Sequence, residues 1–145
     1  MKELTIENKE LLLKDLCARL PYGVIVDYKK NEFEFPHWKI TTIYPETLDG
    51  WISYNRRVGA GSESGSIPFK IGKFKPYLRP MSSMTEEERE EYKYIAPGIV
   101  IEDGIRLPNI NQINWLNAHH FDYRGLIEKG LALVAPEGMY NIKEK

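Results

Sequence analysis

The chain has 145 residues, 42% apolar and 28% charged, with 3 Trp, 9 Tyr and 5 Phe and a formal net charge of −1. That composition excludes intrinsic disorder and predicts a single domain, 1–145, large enough to bury its own core. One cysteine excludes an internal disulfide framework and fits a reducing cytoplasm. No run approaches the roughly 20 apolar residues that span a bilayer, and "MKELTIENKE" lacks the apolar stretch of a secretory signal, so no membrane partner is expected.

From Asn8, which can cap it, a helix over about 8–20 is predicted, with Leu12, Leu13, Leu16, Cys17 and Leu20 inward and Lys9, Asp15 and Arg19 toward the other side. Cys17 therefore reads as a packing residue, not a nucleophile. Pro21 and Gly23 stop the helix. A strand-rich part follows over about 23–80. "GVIVDY" is a short β-branched run, and "HWKITTIY" alternates Trp38, Ile40, Thr42 and Tyr44 against Lys39, Thr41 and Ile43. "WISYNRRV" alternates again, while "IPFKI" and "KFKPYLR" bring the total to about five strands, with "GAGSESGS" (59–66) as a loop between two of them. A mainly helical part over about 85–130 opens at "MTEEEREEY", where Thr85 and Glu88 form a capping box. "APGIVIEDGIRLP" reads as an irregular connector with a short strand. "NINQINWLNAHHF" reads as a second helix, "YRGLIEK" as a third and 131–142 as a terminal hairpin around "PEG". The fold class is α+β: a small antiparallel sheet or partly closed barrel with an N-terminal helix, C-terminal helices and a terminal hairpin.

"WLNAHHFDYRG" (115–125) concentrates the chemistry. Metal-binding histidines on a helix sit four apart so that both rings reach one ion; adjacent ones, at about 100° per residue, point apart. With no CxxC and His37 the only other histidine, neither a metal site nor any cofactor is expected. A hydrolase using His119 or His120 ranks last, because adjacency supplies no nucleophile and no orienting acid. His120 reads as a residue facing the core, and Asp122 as the N-cap of the third helix. No catalytic residue is assigned.

Residues 56–80 form the one basic segment: Arg56, Arg57, Lys70, Lys73, Lys75 and Arg79 against Glu63. These six are the candidate nucleic-acid contacts, with Tyr54, Phe69, Phe74 and Tyr77 available to stack on bases. Strand aromatics more often fill a core and alternate lysines more often face water, so a protein partner is favoured over nucleic acid. "GAGSESGS" fits neither GxGxxG nor a P-loop, since Ser64 takes the third glycine position and no GK[ST] follows. The order helix, turn, helix, hairpin is also that of a winged helix, but the short helix at 123–129 sets Arg124 and Lys129 against Glu128 and offers no basic face. A small-ligand or nucleotide pocket lined by Trp115, His119, Tyr123 and Arg124 is the alternative binding mode, because Arg beside aromatic rings suits a phosphate and a base.

Two runs, "KPYLRPMSSMTEEEREEY" (75–92) and "WLNAHHFDYRGLIEKGLALVAPEGMY" (115–140), resemble small uncharacterised proteins encoded by phages, prophages and mobile elements of gut anaerobes. The resemblance covers about a third of the chain and transfers no functional residue. It implies a setting, the bacterial cytoplasm with a phage origin. The expectation is a non-enzymatic accessory protein that binds a macromolecule.

Overall fold

Thr5 rather than Asn8 caps the first helix: its hydroxyl accepts the Asn8 N–H at 3.1 Å, and α1 runs Ile6–Arg19. The structure, a computed structural model, describes residues 4–28, 37–95, 100–102, 105–107 and 110–140. A short 3-10 turn, Leu20–Tyr22, ends α1 at Gly23, whose φ of 73° is the left-handed conformation that suits glycine. Leu12, Asp15, Leu16 and Arg19 are buried, the i, i+3, i+4, i+7 stripe of one helix face. Asp15 and Arg19 were expected on the opposite side. They can lie inside because each neutralises the other. Cys17, expected to pack, is exposed, and its partial burial raises the thiol pKa from the ordinary value.

Four antiparallel strands form one open sheet in the order β1 (Ile25–Val26), β2 (Trp38–Tyr44), β3 (Asp49–Val58), β4 (Gly61–Lys70). The sheet does not close into a barrel, since β1 and β4 are its two ends. Residues 61–66, expected as loop, belong to β4. The two-residue Gly59–Ala60 turn, with Gly59 at φ 61°, brings them directly against β3. Main-chain bonds made there need no apolar side chains. Ile52 and Tyr54 of β3 and Ile67 and Phe69 of β4 point to the core, where they meet Trp38, Ile40, Leu12 and Leu16.

A bulge between Ile40 and Thr42 alters the alternation expected of β2. Beyond it Ile43 packs on the core, while Thr42 pairs with Trp51 and Tyr44 with Asp49 on the outer face. Gly50, paired with Ile43 just past this bulge, has no room for a side chain: a Cβ there would overlap the Thr42 carbonyl and touch the Phe69 ring. Gly50→Ala is therefore expected to lower the unfolding free energy by about 1–3 kcal/mol. Urea denaturation checks this, and an unchanged midpoint would refute the close approach.

The C-terminal half is tied to the sheet by the segment 76–79. Pro76 bridges Val26; β5 (Tyr77–Leu78) pairs in parallel with β8 (Leu133–Val134); Arg79 bridges Phe121. The expected terminal hairpin is not formed within the described residues. A turn closes at Pro136 to Met139, but β8 takes β5 as its partner, and Tyr140 reaches away to accept the Ile25 N–H and donate to the Tyr77 carbonyl, both at 2.8 Å. Residues 141–142 lie outside the described residues.

The Thr85 capping box opens α2 (Glu86–Tyr94) as expected. The connector carries a small hairpin, β6 (Val100–Glu102) with β7 (Ile105–Leu107), and α3 runs Ile110–Ala118. Trp115, Leu116 and Phe121 form a second core with Met84, Tyr92, Ile95 and Tyr123. Ile110, at the start of α3, is exposed. The third expected helix, 123–129, is instead a run of turns. Gly125 sits at φ 75°, and the Asp122 carboxylate takes the Leu126 and Ile127 N–H groups at 2.8 and 2.9 Å, so Asp122 anchors turns rather than capping a helix. The winged-helix order is lost with that helix.

Candidate functional site

His119 and His120 lie past the last residue of α3, in a Schellman helix end. The Phe121 N–H bonds to the Leu116 carbonyl at 2.9 Å and the His120 N–H to the Asn117 carbonyl at 3.1 Å. The motif demands a left-handed residue, usually glycine. His120 fills the place at φ 64°. The reversal sends the rings to different neighbours: His119 stacks on Trp115 at 3.9 Å, with Nδ1 2.9 Å from the Trp115 carbonyl, whereas His120 is buried and stacks on Tyr140 at 3.6 Å. Burial, helped by the nearby Arg19 and Arg79 charges, lowers the His120 pKa to about 3. It is a neutral ring inside the fold. Among the described residues no three His, Cys, Asp or Glu side chains gather as metal ligands would.

A buried ionic knot that the sequence did not reveal lies beside this helix end. Arg19 donates from Nε to Asp15 Oδ2 at 2.7 Å and from Nη2 to the Phe121 carbonyl at 2.6 Å, and both side chains are wholly buried. Arg124 adds a bond to Asp15 Oδ1 at 3.1 Å. Tyr123 lies beside both guanidiniums and donates to Asn117 Oδ1 at 2.9 Å. Asp15 and Arg19 are four apart, a spacing that would have suggested a pair, though not that residues more than a hundred positions away bury it. Of the four expected ligand contacts, Trp115 and His119 sit in the α2–α3 core, with Trp115 Nε1 donating to Glu91 at 2.9 Å. Tyr123 and Arg124 belong to the knot.

The basic segment is dispersed. Arg79 pairs with both Glu88 oxygens at 2.7 and 2.8 Å and lies over the Phe121 ring, so its charge is used within the fold. Glu88 is held at a pKa of about 2: partial desolvation opposes the shift, and the bonds from Arg79 and Thr85 outweigh it. Lys73 lies over Phe74, Lys75 is exposed, and Lys70 is exposed opposite Asp49. The side chains of Arg56 and Arg57 lie outside the described residues. Tyr54 and Phe69 are buried and Phe74 packs on the core, so these three rings do not form a stacking platform.

Among the described residues two surfaces bear on binding. One is a cleft of about 560 Å³ between the start of α2 and the segment after β8, lined by Pro80, Ser83, Thr85, Val134, Pro136 and Tyr140 with the Arg79–Glu88 pair. None of the four expected ligand residues lines it. Three of its polar side chains already have partners: Ser83 donates to the Pro80 carbonyl, Thr85 accepts from the Glu88 N–H, and Tyr140 is used twice.

The other is the outer face of the sheet. Directly opposed strand residues share a face, which sets Tyr44 in the row of Asp49 and Lys70, Trp51 beside Pro68, and Ser53 beside Ser66. Trp51 is 40% and Tyr44 49% exposed. A hydroxyl ladder flanks them, Thr41 to Ser53 at 3.1 Å and Ser53 to Ser66 at 2.8 Å. The alternation in "WISYNRRV" pointed to Trp51 facing away from Ile52 and Tyr54. The bulge that carries Tyr44 to join it left no trace in the sequence.

No helix among the described residues is long and apolar enough to cross a membrane. No protein-family model matches the chain, and neither the curated proteins nor the solved structures contain a match to it.

Proposed function

We propose that this protein is a non-enzymatic accessory protein that binds another protein across the outer face of its sheet. The observation that carries the reading is the exposed Trp51, with Pro68 directly opposite and Tyr44 in the adjoining row beside Asp49 and Lys70, flanked by the hydroxyls of Thr41, Ser53 and Ser66. Trp and Tyr are the side chains that dominate binding energy at protein interfaces, because each removes a large apolar area from water at small entropic cost and keeps a polar handle. Nucleic acid is the weaker reading. Arg79 is committed to Glu88, and the rings of Tyr54, Phe69 and Phe74 pack inward. A small ligand in the cleft beside Thr85 would have to displace bonds already made there. On the resemblance of 75–92 and 115–140 to phage-encoded proteins, the partner sought would be one from a bacterial cell carrying such an element.

Trp51→Ala is expected to weaken partner binding by about 2 kcal/mol or more, roughly thirtyfold. Proteins retained by immobilised wild type but not by Trp51→Ala would be purified and titrated against both forms. Equal affinity for both forms would overturn the proposal. So would binding of single-stranded nucleic acid that weakens steeply with salt and is untouched by Trp51→Ala.

A further inference from the structure

We infer that two copies of this chain join through the outer edge of β4, continuing the sheet across a two-fold axis at Ser64. β4 ends the sheet order, and among the described residues no backbone group pairs with its outer side between Ser62 and Pro68. Which of its groups point outward follows from the register. Val58 and Gly61 close a two-residue hairpin, so Gly61 is bonded inward. Ile71 donates to Leu48 at 2.8 Å, so the odd positions still bond inward at the far end. Pro68, which has no N–H, then falls at an outward position, where the inner ladder loses nothing. The even residues Ser62, Ser64 and Ser66 therefore present their N–H and C=O groups away from β3.

This edge is complementary to itself in one antiparallel register. With the axis at Ser64, Ser64 exchanges both bonds with Ser64 of the second copy, Ser62 does so with Ser66, and Ser66 with Ser62. Centring on Ser66 would spend a bonded position on Pro68, and centring on Glu63 would set two carboxylates face to face. With the axis at Ser64, Glu63 meets Gly65 of the other copy. The two carboxylates are then diagonal, each held toward its own Tyr54 hydroxyl at 2.7 Å. Serine and glycine, poor at filling a core, leave no bulk to keep the two edges apart. Every molecule carries the same outward Ser62, Ser64 and Ser66 groups, open among the described residues, so the occupant that fits them with no further assumption is a second copy. The pairing leaves the Trp51 faces on the same side of a continuous sheet, and it stands or falls independently of what docks there.

Sedimentation equilibrium of the full chain in concentrated solution is expected to give a dimer. Ser64→Pro, which removes one outward N–H as Pro68 already does, is expected to give a monomer with the far-UV spectrum of the wild type. A cross-link reads the register without relying on that variant folding. In a Cys17→Ser background, Ser64→Cys is expected to form a disulfide-linked dimer on mild oxidation, since a bonded antiparallel pair holds its Cα atoms about 5.5 Å apart, within disulfide reach. Ser62→Cys and Ser66→Cys are expected to cross-link when mixed and not alone. A monomeric wild type overturns the inference, as does a dimer that survives in folded Ser64→Pro or Ser62→Cys linking to itself as readily as Ser64→Cys.

Discussion

Asp15→Ala is expected to cost about 3–5 kcal/mol of unfolding free energy, the range for breaking a buried ion pair from one side. Asp15 and Arg19 are both wholly buried, and Arg124 reaches the same carboxylate. Removing the one anion leaves two guanidiniums facing each other, one of them without contact with water. The loss reaches beyond α1, because the knot joins the helix to the Phe121 carbonyl and to Arg124 across the sequence. Arg19 also keeps Nη1 buried without a hydrogen-bond partner among the described residues, so the intact pair already carries a penalty. A double variant, Asp15→Leu with Arg19→Met, is accordingly expected to recover much of the stability lost by Asp15→Ala, since apolar residues of similar volume replace both charges at once. Urea titrations of the three proteins check this. A loss under about 1 kcal/mol in Asp15→Ala would show that the guanidiniums find water as easily as they found the carboxylate.

The sequence exposed those parts of the fold whose causes are local. The Thr85–Glu88 capping box opens α2 because its donors and acceptors lie within one turn, and Pro21 with Gly23 ends α1 for equally local reasons. Alternation in "HWKITTIY" and "WISYNRRV" marks β2 and β3 because one face of each is buried against α1. What stayed hidden depends on contacts distant in sequence. Burial of Asp15 and Arg19 is decided by the loop at 121–124, and the two-residue strands β5 and β8 exist only as each other's partners. Ser62 to Ser66 carry no strand-like composition and are held by the backbone of β3. "YRGLIEK" has helical spacing, but Gly125 and the Asp122 carboxylate divert its backbone into turns. The histidine pair was readable as a helix end with rings pointing apart. The left-handed residue that produces the divergence was not, because glycine usually marks that place.

Between pH 6.5 and 5 the stability of this protein is expected to fall with acidity at a slope approaching about 1.4 kcal/mol per pH unit, and His120 is the cause. In the folded chain burial comes first, then the cations of Arg19 and Arg79 with smaller contributions from His119 and Lys39, and together they lower its pKa from 6.5 to about 3. Across that interval the unfolded chain binds a proton that the folded chain refuses, so acid favours unfolding. The native state keeps its full advantage above pH 6.5 and loses it progressively toward pH 3. Glu88 adds to the loss only lower down. Its carboxylate, held at about 2 against an ordinary 4.5, stabilises the fold above pH 4.5, and that contribution disappears as the pH falls toward 2. The window above pH 5 therefore separates the His120 contribution from that of Glu88. His120→Asn tests it, because asparagine tolerates the left-handed backbone at this helix end while removing the titrating ring and its stack on Tyr140. The variant is expected to be less stable than wild type at pH 7, with its unfolding free energy nearly flat from pH 6.5 to 5. If it keeps the wild-type slope, the proton is bound elsewhere, and the ring at position 120 is not the neutral, enclosed group that its contacts describe.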